Sequence, residues 1–298
     1  MSLLSKQRRG ELAIFLSATL WSLFPVVTIL ILNTLPPLYT AALSTLAAAM
    51  YFAVILSVKG RWHELLRREA WSSMFMTSLL IGVFFYGFFI TGLRFTTAGN
   101  ASILALMEVF FSYLILGILL SHEHVSRRAF LGSTLLVLGA AVVLLPNVST
   151  LKSGDFLIVL ATLFGPMGNV FAQRARSLVS TETVLFFRSI MSGCVLLVLA
   201  LLLEPPPASA ILLSSTGFIV LNGIFLFAIS KVLWLEGIRN ISITKAISLE
   251  SLSPALTLLV AYFVLGEHIL PSQVFGFLPM VAGVLLLTTK KLQDALTT

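Results

Sequence analysis

The sequence predicts an all-α integral membrane protein of ten transmembrane helices, built as two inverted five-helix repeats with both termini cytoplasmic. Three observations carry the prediction. Hydrophobic residues make up 58% of the 298-residue chain and charged residues only 10%, whereas a soluble globule carries about a quarter charged residues to wet its surface. The apolar residues fall into separated runs of about 20, the helical length that crosses about 30 Å of hydrocarbon. Lys and Arg gather in alternate separators, as the positive-inside rule requires.

Taken in order, the spans fall at 11–32, 36–58, 71–92, 97–120, 127–146, 154–174, 182–203, 214–236, 243–265 and 270–289. The first run follows Lys6, Arg8 and Arg9 as in a secretory signal. It outlasts a signal core, however, and reaches Pro36-Pro37 without a small-residue cleavage site, which makes it a retained span. The separators carry turn or charge signals: Asn33 to Pro37, Lys59 to Glu69, His122 to Arg128, Pro146 to Gly154, and Glu204 to Ser209. None is long enough to hold a soluble domain. Backbone groups in lipid must be bonded internally, so runs of this length imply helices. Membrane β-strands would give shorter segments of alternating polarity.

With ten spans and the N-terminus inside, the inside segments hold Lys6, Arg8, Arg9, Lys59, Arg61, Arg67, Arg68, Arg127, Arg128, Arg174, Arg176, Arg239, Lys290 and Lys291. The outside segments hold only Arg94 and Lys152. A bias of that size does not survive a wrong span count. It also explains the net charge of +7 without nucleic acid, which would need a basic patch on a soluble face. The single cysteine, Cys194, excludes an intrachain disulfide and a cysteine metal site, and its place inside an apolar run predicts a buried, inert thiol.

Two stretches resemble one another. In the first, Gly92-Leu93-Arg94 is followed fourteen residues after Arg94 by Glu108, and the span ends at His122-Glu123. In the second, Gly237-Ile238-Arg239 is followed fourteen residues after Arg239 by Ser253-Pro254, and the span ends at Gly266-Glu267. A glycine-bearing span comes next in each, with Gly132 and Gly139 in one and Gly276 and Gly283 in the other. The unit is five spans, and because five is odd the second copy must enter the membrane in the opposite sense. Many secondary transporters are built on such inverted repeats.

These motifs resemble those of the EamA family of the drug/metabolite transporter superfamily. Gly92-Leu93-Arg94-Phe95, Glu108 and Glu123 match in the first half, Gly237-Ile238-Arg239, Pro254 and Gly266-Glu267 in the second, and Trp21 stands where the first span usually has its tryptophan. The chain departs from the pattern at Val109, at Ser253 in place of a glutamate, at His122, and at Gly165-Pro166. The resemblance implies repeats over 1–149 and 150–298, ten helices around a central cavity and a pseudo-twofold axis. It also implies a secondary carrier working by alternating access, with no cofactor and no enzymatic activity. Export of amino acids or related metabolites is the leading expectation. A multidrug or small-cation exporter, an importer or exchanger, and more distantly a non-transporting sensor remain as alternatives. The expected partners are the bilayer, a small-molecule substrate, protons and a second copy in a homodimer. The short loops fit a prokaryotic cytoplasmic (inner) membrane.

Ionisable groups inside spans mark candidate sites. If the turn between spans 8 and 9 is centred between Asn240 and Ile241, Lys231 and Glu250 lie equally far from it, as do Glu236 and Lys245. At about 1.5 Å per residue the outer pair reaches roughly 14 Å past the turn, near mid-membrane. Lys231 with Glu250 is therefore either a binding pair or a strut, and Glu236 with Lys245 is expected to be a structural ion pair. Glu108, in mid-span 4, suits proton coupling or substrate contact. Arg188 is expected to snorkel to the headgroups. Asn100, Asn169 and Asn222 are candidate cavity-lining residues or interhelical glue, and Trp21 and Tyr86 are candidate stacking or cation–π partners. Pro25 and Pro166, in the first helix of each half, and Pro254 are expected to kink their helices. His122-Glu123-His124 lacks a third ligand, so no metal site is expected, and no phosphate-binding loop with Gly-Lys-Ser/Thr occurs.

Overall fold

The computed structural model describes residues 6–115, 127–144, 153–241, 246 and 249–288, and among them all regular secondary structure is helical. In chain order the helices are α1 (Lys6–Leu32), α2 (Pro37–Lys59), α3 (Arg68–Leu93), α4 (Ala98–Ile115), α5 (Arg127–Leu144), α6 (Ser153–Arg176), α7 (Thr181–Leu203), α8 (Ser209–Ile238), α9 (Ser253–Leu265) and α10 (Pro271–Thr288). Among the described residues seven of them, α1 to α4 and α6 to α8, are long and apolar enough to cross a membrane, and α5, α9 and α10 are shorter apolar helices. Their outer faces carry large apolar side chains in quantity, Val58, Leu203, Leu213 and Phe263 among them. A surface of that kind is solvated by lipid tails and not by water. For the same reason Cys194 is not the buried thiol that its apolar run suggests. It lies exposed on α7, because in a bilayer an apolar residue faces outward as readily as inward.

The chain forms two compact units. One comprises Val27–Phe95 and Phe156–Ala228. Here α2 and α7 run antiparallel, each start beside the other's end. Glu64, just past α2, accepts the Ser180 amide and the Thr183 hydroxyl, both at 2.7 Å, at the start of α7. Glu204, just past α7, accepts the Leu38 amide at 2.9 Å and the Tyr39 amide at 3.1 Å in the first turn of α2. The first N–H groups of a helix lack intrahelical partners, and a carboxylate there also meets the positive end of the helix dipole. Between the caps the helices close on small residues. Gly193 of α7 faces Leu46 of α2, where an added Cβ would meet the Leu46 side chain at 2.7 Å. Glu182 completes the join, pairing with Lys59 and, at 3.3 Å, with Arg61.

In the same unit α3 is π-helical over Ser78–Phe85, and α8 is π-helical over Leu221–Ile229. The wider turn admits one extra residue per insertion and is frequent where a helix serves function. Each π segment carries a glycine pressed on a serine. A Cβ on Gly82 would meet Ser192 of α7 at 2.4 Å, and one on Gly223 would meet the Ser44 carbonyl of α2 at 2.4 Å.

The other unit comprises Met1–Val26, Thr96–Asp155 and Ile229–Thr298. Here α5 and α10 pack through the glycines that the sequence singled out. A Cβ on Gly276 would lie 2.6 Å from the Gly139 carbonyl oxygen, and one on Gly283 would lie 2.6 Å from that of Gly132. The rising number on one helix pairs with the falling number on the other, so the two are antiparallel and nearly in backbone contact. Two helices of this unit are interrupted. In α4 the ladder tightens to i→i+3 bonds at Ala105–Leu106, with Glu108 N–H bonded to the Ala105 carbonyl at 3.0 Å. At the entry to α9 the chain turns at Ser251–Leu252 before Pro254 takes the first helical turn. Pro254 has no N–H to give the Glu250 carbonyl, which accounts for the second break. The first has no proline, since Val109 stands in its place.

Two tests follow from this packing. Gly276→Val or Gly139→Val should lower the midpoint of thermal unfolding in detergent, at an overpacking cost of about 1–3 kcal/mol. Gly217→Ala, with nothing within 4 Å of its Cβ position, should leave the midpoint unchanged or raise it. The second concerns pH. Burial pushes the Glu64 carboxyl up, but the bonds from Ser180 and Thr183 and the charge of Arg61 outweigh it and hold the group below its ordinary 4.5. A depressed folded value means stability that is present above the unfolded value and lost as the pH falls through the folded one. Melting temperature should therefore fall as the pH drops below the ordinary 4.5, and Glu64→Gln should flatten that fall.

Candidate functional site

Four of the candidate residues come together in the unit that holds α4, α9 and α10. Trp21 of α1 lies one turn before Pro25, whose ring cannot donate to the Trp21 carbonyl. Its indole stacks on Phe24 with centroids 4.8 Å apart. The Lys231 ammonium of α8 sits over the indole, 3.8 Å from the ring centroid. That is within cation–π range, and such a contact strengthens when water is excluded. Glu108 and Glu250 both lie within electrostatic reach of Lys231, and Glu250 within reach of Glu108. Glu108 follows the break in α4 and Glu250 precedes the break at the entry to α9. All four side chains are half-buried.

The backbone around this cluster is held by three hydroxyls, of which the sequence had marked only Ser253, as a departure from the family pattern. Ser253 and Thr257, one turn apart on α9, donate to the Ala18 and Ser22 carbonyls of α1 at 3.2 and 2.9 Å. Ser17 of α1 donates to the Ser230 carbonyl of α8 at 2.9 Å. Ser253, which departs from the family pattern by replacing a glutamate, thus ties α9 to α1 beside Trp21. The i, i+4 spacing of the two hydroxyls is the signal that would have found them.

Asn100 belongs to a separate cluster at the start of α4. Its side-chain amide donates to both Asp155 oxygens at 3.4 Å, and its carbonyl accepts Gln273 Nε2 at 2.8 Å. The Thr96 hydroxyl also donates to Asp155, and Thr97 caps the helix by accepting the Asn100 amide at 3.1 Å. Glu267 accepts the Ala98 amide at 2.9 Å and the Gly99 amide at 3.2 Å. Gly266 makes that possible: it ends α9 in the left-handed region at φ 68°, where only glycine is unstrained. The Gly-Glu motif is therefore a helix stop joined to a cap for α4. Asp155 and Gln273 carry no sequence motif and were not anticipated.

The other candidates are elsewhere. Asn222, fully buried, donates to the Thr28 and Ser44 hydroxyls at 3.3 and 3.1 Å. Tyr86 is buried and stacks on Phe227 with centroids 4.4 Å apart. Asn169 lies exposed on α6, next to Gly168, where an added Cβ would meet the Ile81 side chain of α3 at 2.4 Å. Glu236 accepts the Asn240 side-chain amide at 3.2 Å, while Lys245, its expected partner, and Glu123 lie outside the described residues. Arg188 differs from expectation. It does not snorkel: it is 6% exposed, with its guanidinium carbon 5.9 Å from the Tyr86 ring centroid. Its stem passes beside Gly82, where an added Cβ would lie 3.6 Å from Arg188 Cγ, an ordinary van der Waals distance.

The sequence profile of the EamA-like transporter family matches residues 8–145 and again 152–289. An uncharacterized transporter of Methanothermobacter thermautotrophicus is 26% identical over 306 residues, spanning 94% of this chain and 84% of that one. Two uncharacterized transporters of Bacillus subtilis are also similar. YyaM is 25% identical over 252 residues, 80% of each chain. YoaV is 22% identical over 266 residues, 86% of this chain and 89% of that one. A crystal structure superposes on 98% of this chain and 100% of its own, with a TM-score of 0.66 at 17% identity. At that identity the likeness is one of fold.

The Asn100 cluster yields a test of stability. Asn100→Leu strips Asp155 of two bonds and Gln273 of one, so it should cost about 1–3 kcal/mol, read as a lowered unfolding midpoint in detergent.

Proposed function

Because this chain belongs to the EamA-like transporter family, and is thus a multi-pass integral membrane transporter, we propose that it is a secondary carrier exporting amino acids or related small metabolites by alternating access. The three shorter helices α5, α9 and α10 then cross the membrane with the other seven. Residues 1–149 and 150–298 form inverted five-helix repeats with both termini cytoplasmic, in the inner membrane of a prokaryotic cell.

The observation that carries the proposal is the Lys231 ammonium on the Trp21 indole, with Glu108 and Glu250 in electrostatic reach. Two carboxylates within reach of one ammonium suit the cluster to take an ammonium group or a proton. A substrate amine competes with Lys231 for the indole face and for the carboxylates. A proton serves the same charge balance on the return. Each acid flanks a helix interruption, and interrupted helices at the repeat motifs are the usual location of substrate and coupling-ion sites in inverted-repeat carriers. The paired π segments of α3 and α8 supply the corresponding loosened helices in the other unit.

Counterflow in proteoliposomes tests this. Vesicles containing purified protein are loaded with unlabelled amino acids or small organic cations, and labelled uptake is followed with and without a proton gradient. Saturable exchange is expected for at least one amino acid. Lys231→Met and Glu108→Gln should each reduce it about tenfold or more, the equivalent of ~1.4 kcal/mol of lost interaction, with the folded protein still recovered. Exchange confined to organic cations would redirect the proposal to multidrug export, and exchange unaffected by either variant would remove the cluster from the mechanism.

A further inference from the structure

Arg188 is a buried cation with no acid paired to it among the described residues. It lies in α7 inside the membrane-spanning segment and is only 6% exposed. Its guanidinium meets the Tyr86 ring, itself stacked on Phe227. Among the described residues no carboxylate is paired with Arg188, and no side-chain or carbonyl acceptor takes its N–H groups. The acids of its own unit are committed to other tasks. Glu64 caps α7, Glu204 caps α2, Glu182 holds Lys59 and Arg61, and Glu69 is exposed.

A guanidinium cannot shed its charge, and its donors are arranged as a rigid fork. An uncompensated charge inside a membrane protein is costly. An aromatic face offsets part of that cost and satisfies no N–H. Snorkelling, the usual escape, is closed by the burial of the residue. A partner that arrives from outside the chain, carrying negative charge and two acceptor oxygens, resolves all of this at once.

We infer that Arg188 is an oxyanion-binding residue, and that it takes the carboxylate of a small organic acid beside the Tyr86 ring. The same fork would accept the phosphate of an anionic lipid, so the shared chemistry is a planar or tetrahedral oxyanion and the source must be separated by experiment. The inference concerns binding and stands apart from the transport proposal.

The test uses the full-length protein in nanodiscs of pure phosphatidylcholine at constant chloride. Unfolding midpoints are measured against matched acid and amide pairs: propionate and propionamide, benzoate and benzamide, succinate and succinamide, L-leucine and L-leucinamide. At least one acid should raise the midpoint saturably while its amide does not. The shift should vanish in Arg188→Gln and persist in Arg176→Gln, an exposed site on α6. Should Arg188→Gln fail to fold, Arg188→Lys carries the test, because it keeps the charge and loses the fork. Its apparent affinity for the same acid should fall about tenfold. The inference is overturned if no acid differs from its amide, or if the acid shift is unchanged in Arg188→Lys. It is also overturned if added phosphatidylglycerol alone reproduces the shift in an Arg188-dependent way, which would make this a lipid site. Normal counterflow with no Arg188-dependent acid binding would remove this inference alone, and acid binding without counterflow would remove the transport proposal alone.

Discussion

The first N–H groups of every helix have no partner inside it, and at the margin of a hydrocarbon layer water is an unreliable substitute. In this protein carboxylates from the ends of neighbouring helices meet that requirement. Glu64 and Glu204 do so reciprocally for α7 and α2, and Glu267 does so for α4. Each cap fixes the start of one helix against the end of another. Antiparallel pairing and axial register are thereby set together, and the interior contacts follow: Gly193 on Leu46 in the α2–α7 pair, and Asn100 against Asp155 and Gln273 below the Glu267 cap.

Once ends are fixed, close approach depends on what is missing from the faces between them. Apolar helices have no hydrophobic reason to associate in lipid, so association rests on van der Waals contact and interhelical hydrogen bonds. The α5–α10 pair uses the first means, with glycines that bring backbone almost onto backbone. The α1–α9 pair uses the second, with the Ser253 and Thr257 hydroxyls bonded to α1 carbonyls. Where those devices are tight the structure is locked. At the interruptions before Glu108 and after Glu250, and in the π segments of α3 and α8, the regular i→i+4 ladder gives way instead.

The charged groups inside the membrane divide by how they are answered. Asp155 is surrounded by donors from Thr96 and Asn100 and belongs to the scaffold. Lys231 rests on an aromatic face with two acids in reach, and Arg188 rests on another with no acid paired to it among the described residues. Aromatic support keeps a cation in place at moderate cost without quenching its charge. Such a cation remains available to a ligand, whereas one in a closed ion pair does not.

Helix positions and a motif order repeated in two copies were legible in the sequence. They follow from one-dimensional properties: the length of an apolar run against the thickness of hydrocarbon, and the recurrence of the same residues at the same spacing. The glycines of α5 and α10 were legible too, because their spacing repeats in both halves. Which side chains meet was decided by the tertiary structure. In a soluble helix an apolar stripe marks the inner face, but here lipid-facing and core-facing sides are both apolar. Periodicity therefore could not say that Cys194 faces outward, that Arg188 faces inward, or that Lys231 lies on Trp21. Nor could it join Asn100 to Gln273, 173 residues away in the chain. Those contacts depend on the register between helices, which is set by caps and close-packed glycines acting between segments distant in sequence.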